Sequence, residues 1–291
     1  MPGPARSTGM SGVDAQHDFL RARRRATIAR LAARLRGEPD DVRLVLPYDE
    51  VIDALGFVSE RWAGSDVVAL DAIVGTVDRG RDFDRRFRPT SGRVRSRWEH
   101  IAAAMRRGDA LPPVDLVRMG DIYFVRDGHH RVSVARALGH SDINATVTEV
   151  VTRLGAQKPI SVADLPIKGH ERVFFERVPL PDSARPEIIL TDPWDYDRLA
   201  ELVEAWGFRT SQDRGEPITR AEAAYLWLET EYRPVVEMLR DVDLIGNRTP
   251  TEAYLRVSGA RWRLLRTHRW DEDVIERVVE DIARKTRRRR R

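Results

Sequence analysis

Cysteine is absent from this 291-residue chain. Disulfides, thiolate nucleophiles, iron–sulfur clusters and cysteine zinc sites are excluded with it. No apolar run approaches the ~18 residues that a membrane span requires, so no membrane partner is expected. The opening stretch MPGPARSTGMSGVDAQ is rich in Gly, Pro and Ser and has no apolar centre, unlike a secretory signal. It reads as a disordered tail on a cytoplasmic protein. A Walker P-loop and a GxGxxG fingerprint are both missing, which removes support for the familiar nucleotide folds. No internal repeat is visible.

What is present is a chain with 42% hydrophobic and 33% charged residues, able to bury a core beneath a heavily charged surface. Its length suits about two domains at ~150 residues each. Fifty Lys and Arg face 46 Asp and Glu, a net charge of +4, and the excess sits near the ends. Residues 21–36, RARRRATIARLAARLR, carry seven arginines, and the chain closes in RRRRR. These are either solvated faces or contacts for nucleic acid or another polyanion, with Arg21, Arg23, Arg24 and Arg25 as the candidate phosphate contacts.

The pattern predicts an α+β fold in six segments. A disordered tail (1–16) precedes a helical extension (17–62), whose first helix carries Phe19, Leu20, Ile28, Leu31 and Leu35 at roughly helical spacing. A small mixed α/β domain follows (63–150). Within it 67–73 reads as a strand, and 76–92 as a long charged loop of the kind that is functional or disordered. Residues 93–107 read as a helix, 114–118 and 122–126 as a hairpin, 130–138 as a helix, and 142–150 as a half-buried strand. Residues 151–190, interrupted by prolines, read as an irregular connector. A helical domain (191–286) ends in a polybasic tail (287–291). Its helices are expected at 219–230 and 250–267, both opened by capping boxes (Thr219/Glu222 and Thr249/Glu252), and at 271–286. The seven tryptophans, Trp62, Trp98, Trp194, Trp206, Trp227, Trp262 and Trp270, are expected mostly in the core.

The chemistry concentrates in DGHHR, residues 127–131, where a strand turns into a helix. The first N–H groups of a helix have no intrahelical acceptors, and the helix dipole adds positive charge there, so such an end attracts phosphate. Gly128 lets a ligand approach the backbone. Arg131 offers a bidentate contact, and His129 and His130 can donate to phosphate or shuttle a proton. Asp127 can orient a histidine, hold Mg2+ or act as a base. The competing reading has Asp127 simply capping the helix. Adjacent histidines point ~100° apart on a helix, which argues against zinc.

Strand, DGHHR and a helix ending in Leu-Gly together resemble the phosphate-binding motif of the ParB/sulfiredoxin superfamily. VALDAIVGTVDR is similar to the first strand and loop of that domain, and ALPPVDLVRMGDIYFV to its hairpin, so the resemblance covers about 65–150. Sulfiredoxins place a catalytic cysteine where His129 stands, so sulfinic-acid reduction is excluded. Partition ParB proteins carry Gly-Glu-Arg-Arg, a CTP-associated motif, of which Gly128 and one arginine persist, and they add a helix-turn-helix that is not evident here. Free-serine kinases of the superfamily are more similar. Their use of a carboxylate near the transferred phosphate would fall to Asp78, Asp82 or Asp84, with Arg79 beside the phosphate. The helical segment with ILTDPWDYDRL and EYRPVVEML resembles a region that accompanies ParB-like domains in bacterial proteins.

The resemblance and the motif together imply a nucleotide (ATP, ADP or CTP) with Mg2+, or another phosphorylated ligand, bound at Gly128–Arg131. Asp127, His129, His130 and Asp78 are the candidate catalytic groups if phosphate is hydrolysed or transferred. A DNA-binding regulator and a ligand sensor without activity are the alternatives. The oligomeric state stays open, a homodimer included.

Overall fold

The computed structural model describes residues 8–37, 45–78, 82–156 and 160–265, and beyond these Trp270, Val274, Arg277, Val278, Glu280, Asp281 and Arg284. Arg79, the tail 287–291 and most of the helix expected over 271–286 lie outside the described residues. The chain divides into two compact units, Met1–Gly169 and His170–Arg291. Helices and a six-stranded mixed sheet make the fold α+β.

The first unit begins with helix α1 (Ser11–Leu35), which starts inside the segment expected to be a disordered tail. A carboxylate explains the early start: Asp14 accepts bonds from the Thr8 N–H and hydroxyl at 2.8–3.1 Å. The buried face of α1 is also not the one expected. Leu20, Ile28, Leu31 and Leu35 are exposed, while Ala15, Phe19, Ala22, Ala26 and Ala33 are buried. Alanine allows a close approach, and two buried acids fix the helix to α3 (Arg95–Arg107). Arg106 donates to Asp18 at 2.7 Å, and Phe19 meets Trp98 edge-on at 5.6 Å.

The sheet order is β1-β3-β5-β4-β6-β2, with β1 (Leu46–Pro47), β2 (Phe57–Ala69), β3 (Ile73–Thr76), β4 (Val114–Met119), β5 (Ile122–Asp127) and β6 (Asp142–Thr152). Helix α2 (Tyr48–Leu55) follows β1. The supposed extension is thus part of the sheet: β2 runs across position 63 and pairs with β6 from Phe57↔Thr152 to Ala69↔Asp142. Trp62 consequently lies on an edge strand and is 66% exposed, not packed in a helical core. Strands β3 and β5 are parallel, β4 and β5 antiparallel, and β4 and β6 parallel. Helix α4 (His129–Leu138) leaves β5 directly and is tied to α3 by the buried Trp98 Nε1–H, which donates to Ser133 Oγ at 2.8 Å.

The connector expected to be irregular contains helix α5 (Leu165–Arg177), because Pro166 sits in its first turn, where no backbone N–H is needed. The second unit holds α6 (Pro193–Arg214), α7 (Arg220–Trp227), α8 (Arg233–Asp241) and α9 (Pro250–Leu265). Thr249 and Glu252 form the reciprocal box, each side chain accepting the other's N–H at 3.1 Å. At Thr219 only half forms: its hydroxyl accepts from Glu222 N–H at 3.2 Å, and the Glu222 carboxylate turns to Arg214. Between α7 and α8 lies a π-helical turn over 228–232. Trp227, Tyr232 and Tyr254 are its aromatic centre, with Trp227 Nε1–H donating to Tyr254 Oη at 3.0 Å. Trp194 and Trp262 are exposed.

Candidate phosphate site

Parallel pairing places the C-terminal ends of β3 and β5 side by side, with Thr76 opposite Val125. Open sheets in α/β proteins bind ligands at such ends. The chain turns from β5 into α4 through Gly128 at φ 103°, a conformation that favours glycine. A Cβ there would also stand 2.6 Å from Val114 Cγ1, so the position admits no larger residue without displacement.

Among the described residues no side chain caps α4. The Asp127 carboxylate does not turn onto the helix N–H groups. Its Oδ2 accepts from Arg131 Nη2 at 2.5 Å, and the side chain is 67% exposed. The amides of His129, His130 and Arg131 therefore open the helix with neither intrahelical nor side-chain acceptors, at its positive end.

Arg131 does not reach outward. Its Nη1 donates to the carbonyls of Pro112 and Pro113 at 2.6 and 2.7 Å, and its side chain is 13% exposed. It fixes the Pro-Pro turn before β4 against the start of α4. His129 is wedged between Phe83, stacked at 6.4 Å, and Phe87, tilted at 6.4 Å. Its Nε2 lies 2.6 Å from the Thr76 hydroxyl, which itself accepts the Asp78 N–H at 3.1 Å. The same hydroxyl lies 3.4 Å from the Val125 carbonyl, so it donates there when His129 Nε2–H donates to it, and to the ring when Nε2 carries no proton. Burial pushes His129 below the ordinary histidine value, with Asp78 and Asp127 opposing. His130 stands edge-on to Phe83 at 5.3 Å. Burial lowers it too, and Arg97 adds to the effect.

Of the loop acids, Asp78 is exposed beside His129. Asp82 and Asp84 organise the loop instead. Ser91 donates to Asp82 at 2.8 Å, and Asp84 accepts from the Arg88 side chain and from the Arg86 and Arg88 N–H groups. Among the described residues no group of three or more His, Asp or Glu side chains is arranged to hold a metal. Asp127 keeps one carboxylate oxygen outside its pair with Arg131, so a Mg2+ held there would need phosphate oxygens and water to complete its shell.

Four contributors escaped the sequence reading. Thr76, Phe83 and Phe87 fix the histidines, and Phe87 does so at φ 57°, a strained conformation for a bulky residue. Two phenylalanines four apart in a charged loop were the available signal. The fourth is Arg97 on α3, exposed, close enough to His130 to disfavour its charged form, and without a partner among the described residues. Of the four arginines named as candidate nucleic-acid contacts, Arg21 and Arg25 line a cavity, while Arg24 is exposed and Arg23 approaches Gly92. They do not form one face.

No family model and no curated protein sequence matches the chain. Among solved structures it is similar to the Pnob8-like ParB N-domain in two determinations. One is 13% identical over 71% of this chain and 82% of that one; the other is 12% identical over 72% and 78%; both have TM-scores of 0.21. The functional reading therefore rests on the geometry of the site. No helix among the described residues is long and apolar enough to cross a membrane.

Proposed function

We propose that this chain is a ParB-like protein that binds a phosphorylated small ligand, a nucleotide with Mg2+ being the leading case, at the start of α4. The observation that supports this best is the uncapped helix N-terminus, set on a positive-φ glycine at the C-terminal ends of two parallel strands. The N–H groups of His129, His130 and Arg131 take phosphate oxygens, and Arg97 supplies the side-chain charge that Arg131, folded onto Pro112 and Pro113, does not. His130 donates to the ligand, while His129, held on Thr76, fixes the loop. Arg131 is a positioning residue. Asp127 and Asp78 are the two carboxylates that would hold Mg2+ beside the phosphates or accept a proton from an attacking hydroxyl.

The test is thermal stabilisation of the full chain by ATP, ADP, CTP and GTP with magnesium. At least one nucleotide raises the Tm, and His130→Ala and Arg97→Gln each weaken its binding by about tenfold, the scale of one charge-assisted hydrogen bond. No shift with any nucleotide overturns the nucleotide assignment. A phosphorylated product after incubation with ATP or ADP and serine would extend the reading to a kinase.

A further inference from the structure

A second site lies in the same unit, away from the α4 N-terminus. A cavity of about 1050 Å³ opens between α1, the β2–β3 junction, the 82–90 loop and the C-terminal half of α4. Its wall carries six arginines, Arg21, Arg25, Arg85, Arg86, Arg88 and Arg136, against two acids, Asp18 and Asp71.

The partners of these arginines decide what the cavity can hold. Asp18 is already committed to Arg106 at 2.7 Å, leaving Arg21 only a 3.9 Å contact with it. Arg88 is paired with Asp84 at 2.7 Å. Arg85 donates to the Ile160 carbonyl at 2.6 Å, and Arg136 to the carbonyls of Ile73 (2.7 Å) and Leu70. Carbonyl partners orient a guanidinium without cancelling its charge. The Arg25 and Arg86 guanidinium groups have no partner among the described residues. Burial also holds Arg136 below the ordinary arginine range; Asp71 and Asp84 oppose this and Arg86 adds to it. A concave, arginine-lined space of this size, with Leu70, Ile73 and Ala137 as its apolar wall, exceeds what a single phosphate would fill.

We infer that this cavity binds a small polyanion carrying two or more phosphates, held by Arg25 of α1 and Arg86 of the 82–90 loop together with Arg136, which the Ile73 and Leu70 carbonyls fix in place. Arginine suits this role because its planar fork meets phosphate oxygens two at a time. The 82–90 loop separates the two sites. Its Phe83 and Phe87 rings pack on the histidines of one, Arg85, Arg86 and Arg88 face the other, and the Arg136 guanidinium lies 5.1 Å from the Phe87 ring.

The test is calorimetric titration of the full chain with inorganic tripolyphosphate, without magnesium. The Arg25→Gln/Arg86→Gln double variant binds at least about tenfold more weakly than wild type. An Arg23→Gln/Arg24→Gln variant, with the same loss of charge outside the cavity, stays within about twofold, since exposed charges away from a site are largely screened. Melting temperature is measured for each variant, and neither pair is expected to unfold the chain. The inference is overturned if wild type does not bind tripolyphosphate, if the cavity variant binds as wild type does, or if the control loses as much. Because tripolyphosphate also meets the α4 N-terminus, the comparison is repeated in a His130→Ala/Arg97→Gln background, where the loss caused by Arg25→Gln/Arg86→Gln persists, so failure here is distinct from failure of the α4 site. ATP binding tighter than tripolyphosphate through the same arginines assigns the apolar wall to the organic part of the ligand; equal binding assigns the site to the phosphate chain alone.

Discussion

Replacing Gly128 by alanine tests whether the backbone at the candidate site is built as described. At φ 103° an L-residue pays a conformational penalty of about 1–2 kcal/mol. The new Cβ would lie 2.6 Å from Val114 Cγ1, 2.9 Å from Val114 Cβ and 3.1 Å from Arg131 Nη2. Val114 is fully buried and registered with Ala145 across the parallel β4–β6 pair, so it cannot withdraw freely. Overpacking of this kind costs about 1–3 kcal/mol. The sum, about 2–5 kcal/mol, is a large part of the ~5–15 kcal/mol that stabilises a typical domain. Gly139→Ala is the matched control, with φ 87° and no atom within 4 Å of its Cβ, and it carries the conformational penalty alone. Urea unfolding measures both. Val114→Ala removes the Cγ1 contact at 2.6 Å and keeps the Cβ contact at 2.9 Å, so it relieves part of the clash, and the double variant with Gly128→Ala is more stable than additivity predicts by at least about 0.5 kcal/mol. The reasoning is refuted if Gly128→Ala costs no more than Gly139→Ala, or if the two changes at 128 and 114 simply add.

Other perturbations follow from the same contacts. Arg131→Ala destabilises by about 1–3 kcal/mol in urea, because two carbonyls lose a charged donor, whereas Asp127→Asn, at an exposed carboxylate, costs under about 1 kcal/mol; equal effects would place the clamp in the ion pair instead. Tyr254→Phe leaves the buried Trp227 Nε1–H without its acceptor and lowers stability by about 1–3 kcal/mol, and an unchanged unfolding midpoint contradicts that bond. His129 has a folded pKa below its ordinary 6.5, so the unfolded chain binds the extra proton first. The stability held above pH 6.5 is lost as pH falls through 6.5 towards the lower folded value, and His129→Gln flattens that part of the pH–stability curve; an unflattened curve assigns the titration elsewhere.

The site's position was legible from local pattern. Apolar residues over 122–126, then Asp-Gly, then the spacing of Val132, Val134, Ala135 and Leu138 place DGHHR between a strand and a helix, and both elements are present. The role of Arg131 was not legible. Its partners Pro112 and Pro113 lie some eighteen residues away, and they meet it only through the β4–β5 pairing, which local periodicity does not encode. The same limit hid the fit of α1. Leu20, Ile28 and Leu31 look like a core stripe, yet the alanine face packs, because Asp14 and Asp18 must reach Arg106. Pro166, among the prolines that make 151–190 look irregular, stands in the first turn of a helix, as does Pro234 in the second unit. Loop residues were hardest to place: Phe83 and Phe87 acquire their positions from a hydrogen-bonded turn around Asp84, not from any repeat.

The most direct measurement of the central claim is an amide chemical-shift titration of the 15N-labelled chain with pyrophosphate. Saturable shifts are expected at the backbone N–H groups of His129, His130 and Arg131, and these three diminish in Arg97→Gln whether or not shifts also occur around the arginine cavity. Stationary amides at those three positions, with the ligand present at saturating concentration, would contradict the claim.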